Sequence, residues 1–313
     1  MAVNCSGREN IRTALLVYNE NAGRQVFCSM RSRINEVFRL LKRRLGPGNV
    51  RLELIGSFGD LYALAASIAA RQVDWVIVAG GDGTIRALLE RLLLGNCRPY
   101  VSVFPAGTAN LIAGELLMSA EPAKWIRRIE KGIEVPAYPG WANGHLFLTV
   151  AGVGFDSLVV DKVTALEKKV LNKFAYVLQG TETVRRELIL SDWQYQFEVR
   201  FDEEDVWHTG VSVLAGKSRY YAGRYRLFEG AALASPFFHV ALFKKGSRRD
   251  FLRYAAAIAL EAINRDESVF IRRAQKLEVR CNKEAFAVEL DGDAVTSTPL
   301  VLEIGEKPIV FLV

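Results

Sequence analysis

The sequence predicts an α/β domain built on a parallel sheet, followed by a mainly antiparallel β domain. Three observations carry that prediction. Short apolar runs alternate with helix-period segments through residues 1–135, a loop rich in glycine and polar residues follows each run, and from Pro136 onward short strands with partial alternation take over. At 313 residues, half of them apolar, the chain is long enough for two domains with cores of ordinary size.

In chain order, "TALLVY" (13–18) is a strand ending in the turn "NENAG", after which Val26, Met30, Ile34, Val37, Phe38 and Leu41 recur at helical spacing. "VRLELIG" then leads to a helix over 61–70, "DWVIVA" to a helix over 85–94, and "YVSVF" through "PAGTAN" to a further helix. Strands apolar on both faces, alternating with helices, imply a parallel sheet with right-handed crossovers. Ligands of such sheets bind beyond the carboxyl ends of the strands, so the loops at 19–23, 56–60, 80–84 and 105–110 are the candidate site. Later come "GHLFLTVAGVGF", "WQYQFEVRF", "WHTGVSVLAG", "FFHVALFKK", "QKLEVRC", "AFAVELDG" and "PLVLEIG", read as strands, with helices around 168–188 and 250–263. Pro136 and Pro139 in "IEVPAYPG" stop the preceding helix, which puts the domains at 1–135 and 136–313, with the last strand able to return to the first.

Lysine and arginine number 41 against 35 acids, a mild excess that suits an anionic partner such as a nucleotide, a nucleic acid or an acidic membrane surface. Among these, nucleic acid lacks the aromatic-plus-basic motif of a known reader. Cys5, Cys28, Cys97 and Cys281 have neither CxxC nor zinc spacing and read as reduced thiols. The opening "MAVNCSGRENIR" lacks a basic segment followed by an apolar stretch, and no run of about 18 apolar residues occurs. A cytoplasmic protein is the expectation. His145, His208 and His239 are scattered among predicted strands, and no serine–histidine–acid arrangement supports hydrolase chemistry.

"VIVAGGDGTIRALLE" (76–90) is the sharpest signal. Glycine at the end of a buried strand permits positive φ and lets backbone amides approach a ligand where a Cβ would collide. Gly80, Gly81 and Gly83 therefore suggest a nest of N–H donors, to which the helix starting near Thr84 adds its positive end, and phosphate is the natural guest. Asp82 would then hold a metal, orient water or bind a nucleotide hydroxyl; the alternative is a tight strand-to-helix turn capped by Asp82 or Thr84. "AGKSR" (215–219) is no P-loop, since Val211 stands where its first glycine belongs, and "GVGFDS" (152–157) lacks the third glycine of the dinucleotide fingerprint.

"GGDGT" after a buried strand, then "PAGTAN", resembles the catalytic domain shared by diacylglycerol kinases, sphingosine kinases and bacterial soluble lipid kinases. "NENAG" resembles the family's opening Asn-Pro-x-x-Gly, "FLTVAGVGFDS" its Phe-x-x-x-x-Gly-x-Gly-Phe-Asp-Ala, and "VELDGD" its Asp-Gly-Glu. Nicotinamide-nucleotide kinases share the glycine loop, whereas "PAGTAN" belongs to the lipid branch. The resemblance implies the fold of nicotinamide-nucleotide and diacylglycerol kinases, with ATP in a cleft between the domains. It implies Asn19, Gly80, Gly81, Asp82, Gly83, Thr84, Gly107, Thr108 and Asn110 as nucleotide-binding residues, a β domain carrying the lipid, and magnesium bridging the phosphates. Asp82 and Asp293 are its implied catalytic carboxylates, Asp293 standing where the family's proton-accepting glutamate belongs.

Asp293 is shorter than glutamate by one methylene, and Asp291 and Glu289 are alternative carboxylates beside it. Bacterial lipid kinases also carry an acidic Asp-Gly-Leu-Leu-Asp stretch that helps to hold a structural magnesium; here "SPFFHV" offers Ser235, Pro236 and His239, which implies loss of that accessory site. Glu20 stands where the opening motif has proline, and Ser57 is the candidate replacement for a nucleotide-contacting threonine. A lipid substrate implies a peripheral stay at an anionic membrane surface, with "KKGSRR" (244–249), Arg253 and "RRAQK" (272–276) as candidate contacts or as plain solvated ends. A catalytically impaired nucleotide- or lipid-binding protein is the competing expectation.

Overall fold

The computed structural model describes residues 11–22, 27–155, 195–221, 225–282 and 285–313; the helix expected around 168–188 lies outside them. The chain forms two compact units, Met1–Ala137 with Lys307–Val313, and Tyr138–Glu306.

The first unit is built on β1 (Ala14–Asn19), β2 (Val50–Ile55), β3 (Trp75–Gly80), β4 (Tyr100–Pro105), β5 (Glu134–Ala137) and, from the far end of the chain, β20 (Ile309–Leu312). They lie in the order β2-β1-β3-β4-β20-β5. β1 runs parallel to β2 and β3, β3 and β20 run parallel to β4, and β5 is antiparallel to β20. β3 is buried along its whole length and β1 nearly so, as strands covered by helices on both faces must be.

The helices are α1 (Phe27–Leu45), α2 (Phe58–Ala70), α3 (Asp82–Leu94), α4 (Leu111–Glu115) and α5 (Pro122–Lys131). α1 turns Ile34, Val37 and Leu41 into the core. Two helices begin earlier than the apolar spacing predicts, because polar residues open them. Ser57 caps α2 in a reciprocal box with Asp60, whose carboxylate accepts from the amides of Ser57 at 2.9 Å and Gly56 at 3.0 Å, and those bonds hold the Asp60 carboxyl below its ordinary range. Asp82, Gly83 and Thr84 form the first turn of α3 behind Gly81 as N-cap.

Ser102 secures the returning strand. Its Oγ accepts from Trp75 Nε1 at 3.0 Å and donates to the Leu312 carbonyl at 2.7 Å, while Trp125 stacks on Trp75 with centroids 6.4 Å apart. Phe311, Leu312 and Val313 are buried behind it.

Among its described residues the second unit contains two six-stranded sheets and a two-stranded one of β12 (Tyr220–Tyr221) and β13 (Tyr225–Arg226). One holds β6 (Gly140–Ala142), β7 (His145–Phe147), β9 (Phe197–Phe201), β10 (Trp207–Gly210), β16 (Lys276–Cys281) and β19 (Leu300–Ile304) in the order β10-β9-β16-β19-β6-β7. The other holds β8 (Val150–Val153), β11 (Ser212–Gly216), β14 (Phe238–Phe243), β15 (Val269–Ala274), β17 (Ala287–Leu290) and β18 (Asp293–Ser297) in the order β15-β14-β11-β8-β17-β18. Their strand pairs are antiparallel, as the sequence predicts.

Phe147, Phe197, Phe201, Leu277 and Leu302 of the first sheet share a core with Val213, Phe238, Val240, Leu242 and Val288 of the second. Leu214, Ala241 and Phe243 point the other way, into a separate core closed by Tyr254 and Ile258 of α6 (Arg248–Ala259). The second sheet is therefore packed on both faces, which is why β14 shows no polar alternation beyond His239.

Phe311→Ala is expected to lower stability by about 3–5 kcal/mol, the usual cost of emptying a buried phenylalanine site, in urea unfolding followed by tryptophan fluorescence. Trp75 and Trp125 lie in this same unit and report on it directly.

Candidate functional site

In the first unit, β1 and β3 are neighbours whose connections leave in opposite directions, to β2 and to β4. This reversal opens the sheet at its carboxyl edge, the place where ligands of such folds bind. Asn19 ends β1 there and Gly80 ends β3. The Asn19 side chain spans the two: Nδ2 donates to Thr84 Oγ1 at 2.7 Å, while Oδ1 accepts from the Asn21 amide at 2.9 Å.

Of the two uses the sequence suggests for the glycines, positive φ is not taken up. None of Gly80, Gly81 and Gly83 is among the glycines with positive φ, and Gly81 itself is extended at φ −89°. What they provide is proximity. A Cβ on Gly80 would stand 2.9 Å from Cβ of Thr84, and one on Gly107 would stand 2.4 Å from Cα of Gly81. Two loops are thus pressed backbone to backbone, and the Ala106 amide bonds the Gly80 carbonyl at 3.2 Å.

Asp82 completes the junction. Its carboxylate, only 7% exposed, accepts from the amides of Leu111 at 2.9 Å and Ile112 at 3.0 Å, the first two residues of α4. It caps the helix of the neighbouring loop, a partnership absent from both sequence readings of Asp82.

Asn110 precedes α4 in the left-handed region, φ 49°, and folds "PAGTAN" back on itself: Oδ1 accepts from the Gly107 amide at 2.8 Å and Nδ2 donates to the Gly107 carbonyl at 2.7 Å. Thr108 is left exposed at the loop's tip. The structure therefore brings Asn19, 80–84 and 107–110 together, with the amide-rich start of α3 between them. Ser57, by contrast, is engaged as the cap of α2.

The second unit holds the other carboxylates. Asp291 and Gly292, at φ 51° and 97°, form the two-residue turn joining Leu290 to its partner Asp293. Asp291 accepts from the amides of Leu148 at 2.8 Å, Thr149 at 2.7 Å and Val150 at 3.1 Å, and from Thr149 Oγ1 at 2.6 Å. It is a latch on the loop entering β8. Burial pushes its carboxyl up, against the pull of those donors. Glu289 is 1% exposed and accepts from the Gly292 amide. Asp293 opens β18 and is half-buried.

Beside "SPFFHV" the chain buries a lysine. Lys217, 1% exposed, sends its ammonium to the main-chain carbonyls of Ser235 and Phe237, the latter at 3.2 Å. His239 follows, 5% exposed, with Nε2 buried and unbonded; burial lowers its proton affinity, helped by Arg273 and Lys217. Carbonyls already serving a cation, beside a histidine that resists charging, do not fit a divalent metal, and no cluster of three His, Cys, Asp or Glu able to hold one occurs among the described residues. Sequence reasoning missed Lys217 because its partners are backbone carbonyls, which leave no side-chain signature.

Residues 13–140 match the family described as the diacylglycerol kinase catalytic domain. The chain is 26% identical over 285 residues to the protein named diacylglycerol kinase of Bacillus subtilis strain 168, covering 90% of each. It is 28% identical to the protein named "Probable lipid kinase YegS-like" of Pseudomonas aeruginosa UCBPP-PA14 over 245 residues, 77% of each. In three dimensions it resembles a solved structure from Bacillus anthracis str. Sterne with a TM-score of 0.81 at 20% identity, over 99% of this chain and 98% of that one. A structure from the same organism described as a diacylglycerol kinase gives 0.72 at 17% identity, over 97% of each. The two structures support the fold, and the resemblance read from the motifs is borne out by the family match and the relatives.

Gly107→Ala is expected to cost about 1–3 kcal/mol, since a Cβ there meets backbone that cannot swing away. Gly114→Ala in α4, with nothing within 4 Å of its added Cβ, is the control that leaves stability level or raised in the same urea titration.

Lys217 makes a prediction of opposite sign to a favourable ion pair. Burial pushes its ammonium from 10.5 down to about 8, so between those values the unfolded chain binds the proton that the folded chain has shed. Stability of the wild type relative to Lys217→Met should therefore rise as pH climbs from about 8 toward 10.5, by at most about 3 kcal/mol, in urea unfolding at steps across that window.

Proposed function

We propose, with a diacylglycerol-kinase-type catalytic domain as the premise, that the chain transfers the γ-phosphoryl group of ATP to the hydroxyl of a lipid. The observation that carries this reading is the bridge from Asp82 to the amides of Leu111 and Ile112, which fixes "GGDGT" against "PAGTAN" at the sheet's switch point. That junction holds the first turn of α3 beside the loop whose exposed tip carries the Thr108 hydroxyl. Backbone N–H groups and a helix start are what a polyphosphate needs, and positioning with charge neutralisation is most of what phosphoryl transfer requires. Magnesium, arriving as the nucleotide's complex, supplies part of that neutralisation.

Within the first unit, Asn19 holds Thr84, Asn110 shapes the second loop, and Asp82 joins the loops. In the second unit, Asp293 is the carboxylate assigned to take the proton from the attacking hydroxyl, its position secured by the turn that Asp291 latches. A lipid acceptor is favoured because the relatives bear lipid-kinase names. Such an acceptor requires a peripheral stay at a membrane surface, and no helix among the described residues is long and apolar enough to cross one.

A second reading has its own observation. Aspartate at position 293 reaches less far than glutamate, and a misplacement of about 1 Å can cost on the order of a hundredfold in rate, which favours a protein that binds nucleotide or lipid without turnover.

The test is transfer of labelled γ-phosphate from Mg-ATP to lipids in mixed micelles, with wild type, Asp293→Asn and Asp82→Asn side by side. Label should enter one lipid class. Asp293→Asn should lower kcat at least about a hundredfold with nucleotide binding intact, and Asp82→Asn should weaken nucleotide binding as well. Nucleotide bound without label in any lipid would replace the kinase reading by the second one.

A further inference from the structure

α6 presents two faces of unlike chemistry. Tyr254 and Ile258 are buried in the core under β14, and Phe251 is packed against that core. On the opposite side Leu252 is 50% exposed and Leu260, directly after the helix, 77% exposed, with Ala256 and Ala259 exposed between them. Their spacing puts Leu252, Ala256 and Ala259 on one outward stripe, with Leu260 at its end.

Cations border that stripe. Arg249 and Arg253 lie on the outward half of the helix, and Lys244 and Lys245 are exposed in the loop that leads into it. The one acid within α6, Asp250, is buried, accepts from the Ser247 amide and hydroxyl, and binds Arg253 at 2.9 Å. Arg253 also meets Asp266 at 2.8 Å. Beyond the helix, the exposed acid Glu261 follows Leu260, and an open depression holds Lys245, Arg253 and Arg265 with Asp266 and Glu267, so the cationic excess gathers toward the helix's N-terminal end.

We infer that the outward face of α6 is the membrane-docking surface of the second unit, with Leu252 and Leu260 entering the headgroup boundary of an anionic bilayer and Lys244, Lys245 and Arg249 lying against its phosphates. An apolar stripe edged by exposed cations matches a surface that is apolar below and negative at its rim. Charge complementarity selects that occupant: a second copy of this helix would bring the same arginines together. The inference deepens the lipid-kinase reading and rests on it for the substrate, although vesicle binding can be measured without catalysis.

The experiment is flotation with vesicles of phosphatidylcholine alone and of phosphatidylcholine with phosphatidylglycerol. Wild-type protein should float with the anionic vesicles and stay behind with the neutral ones. Leu252→Ser/Leu260→Ser and Lys245→Ser/Arg249→Ser should each bind anionic vesicles at least about tenfold more weakly. Both should keep the wild-type unfolding midpoint and the wild-type rate on a short-chain acceptor below its micellar concentration. Three results would overturn the proposal: wild type failing to float, variants floating like wild type, or the leucine variants unfolding earlier, which would show the stripe packed against protein. Absent phosphate transfer with vesicle binding as expected would instead sink the kinase reading and leave this surface standing.

Discussion

A carboxylate withdrawn from water must be met by donors, and Asp82 finds its donors on another loop. Bonds to a charged group are worth about 1.5–3 kcal/mol each, and at the start of a helix the dipole adds to them. The pull has a geometric price: the two stretches of backbone approach closer than a Cβ at position 107 permits, and Gly107 meets that demand. Asn110 and the Ala106 amide then have fixed partners. The junction of the two loops at the sheet edge is thus organised by an acid. Each oxygen of Asp82 faces an amide of α4, so the charge is met where it sits.

The second unit uses the same device twice. Asp291 gathers three backbone amides and a hydroxyl to pin the entrance of β8 against the β17–β18 turn. Lys217 does the converse, donating hydrogen bonds to carbonyls so that the loop before β14 takes one path. In each case one ionised side chain orders a segment that has no secondary structure of its own. A tethered ammonium differs from a bound metal in that it is never lost to a chelator, and it carries a single charge that burial has made easier to discharge.

The parts of this architecture that could be read from the sequence are those with local signals. A strand that runs into Gly80 and Gly81 declares a loop that needs close approach, and apolar runs split by helices declare the parallel sheet. The starts of α2 and α3 were misplaced because Ser57 and Asp82 are polar and look like loop until their caps are seen. The role of Asp82 was hidden for a different reason: its partners are amides of Leu111 and Ile112, whose side chains say nothing about their N–H groups. "DG" at Asp291 and Gly292 is a strong hairpin signal, yet the motif it belongs to drew attention to chemistry instead. Lys217 sits in "AGKSR", which resembles a failed phosphate loop, and nothing in its neighbours announces burial.

The position of β20 carries a consequence for how the molecule is made. It lies between β4 and β5, yet it is translated after every residue of the second unit. Until it emerges, β4 and β5 lack the strand that joins them, Ser102 lacks its carbonyl, and two strand edges stand open. The second unit, continuous from Tyr138 to Glu306, can close on the ribosome while the first is still unfinished. Assembly therefore runs against sequence order: the sheet begun first is joined only by a strand that follows the whole second unit.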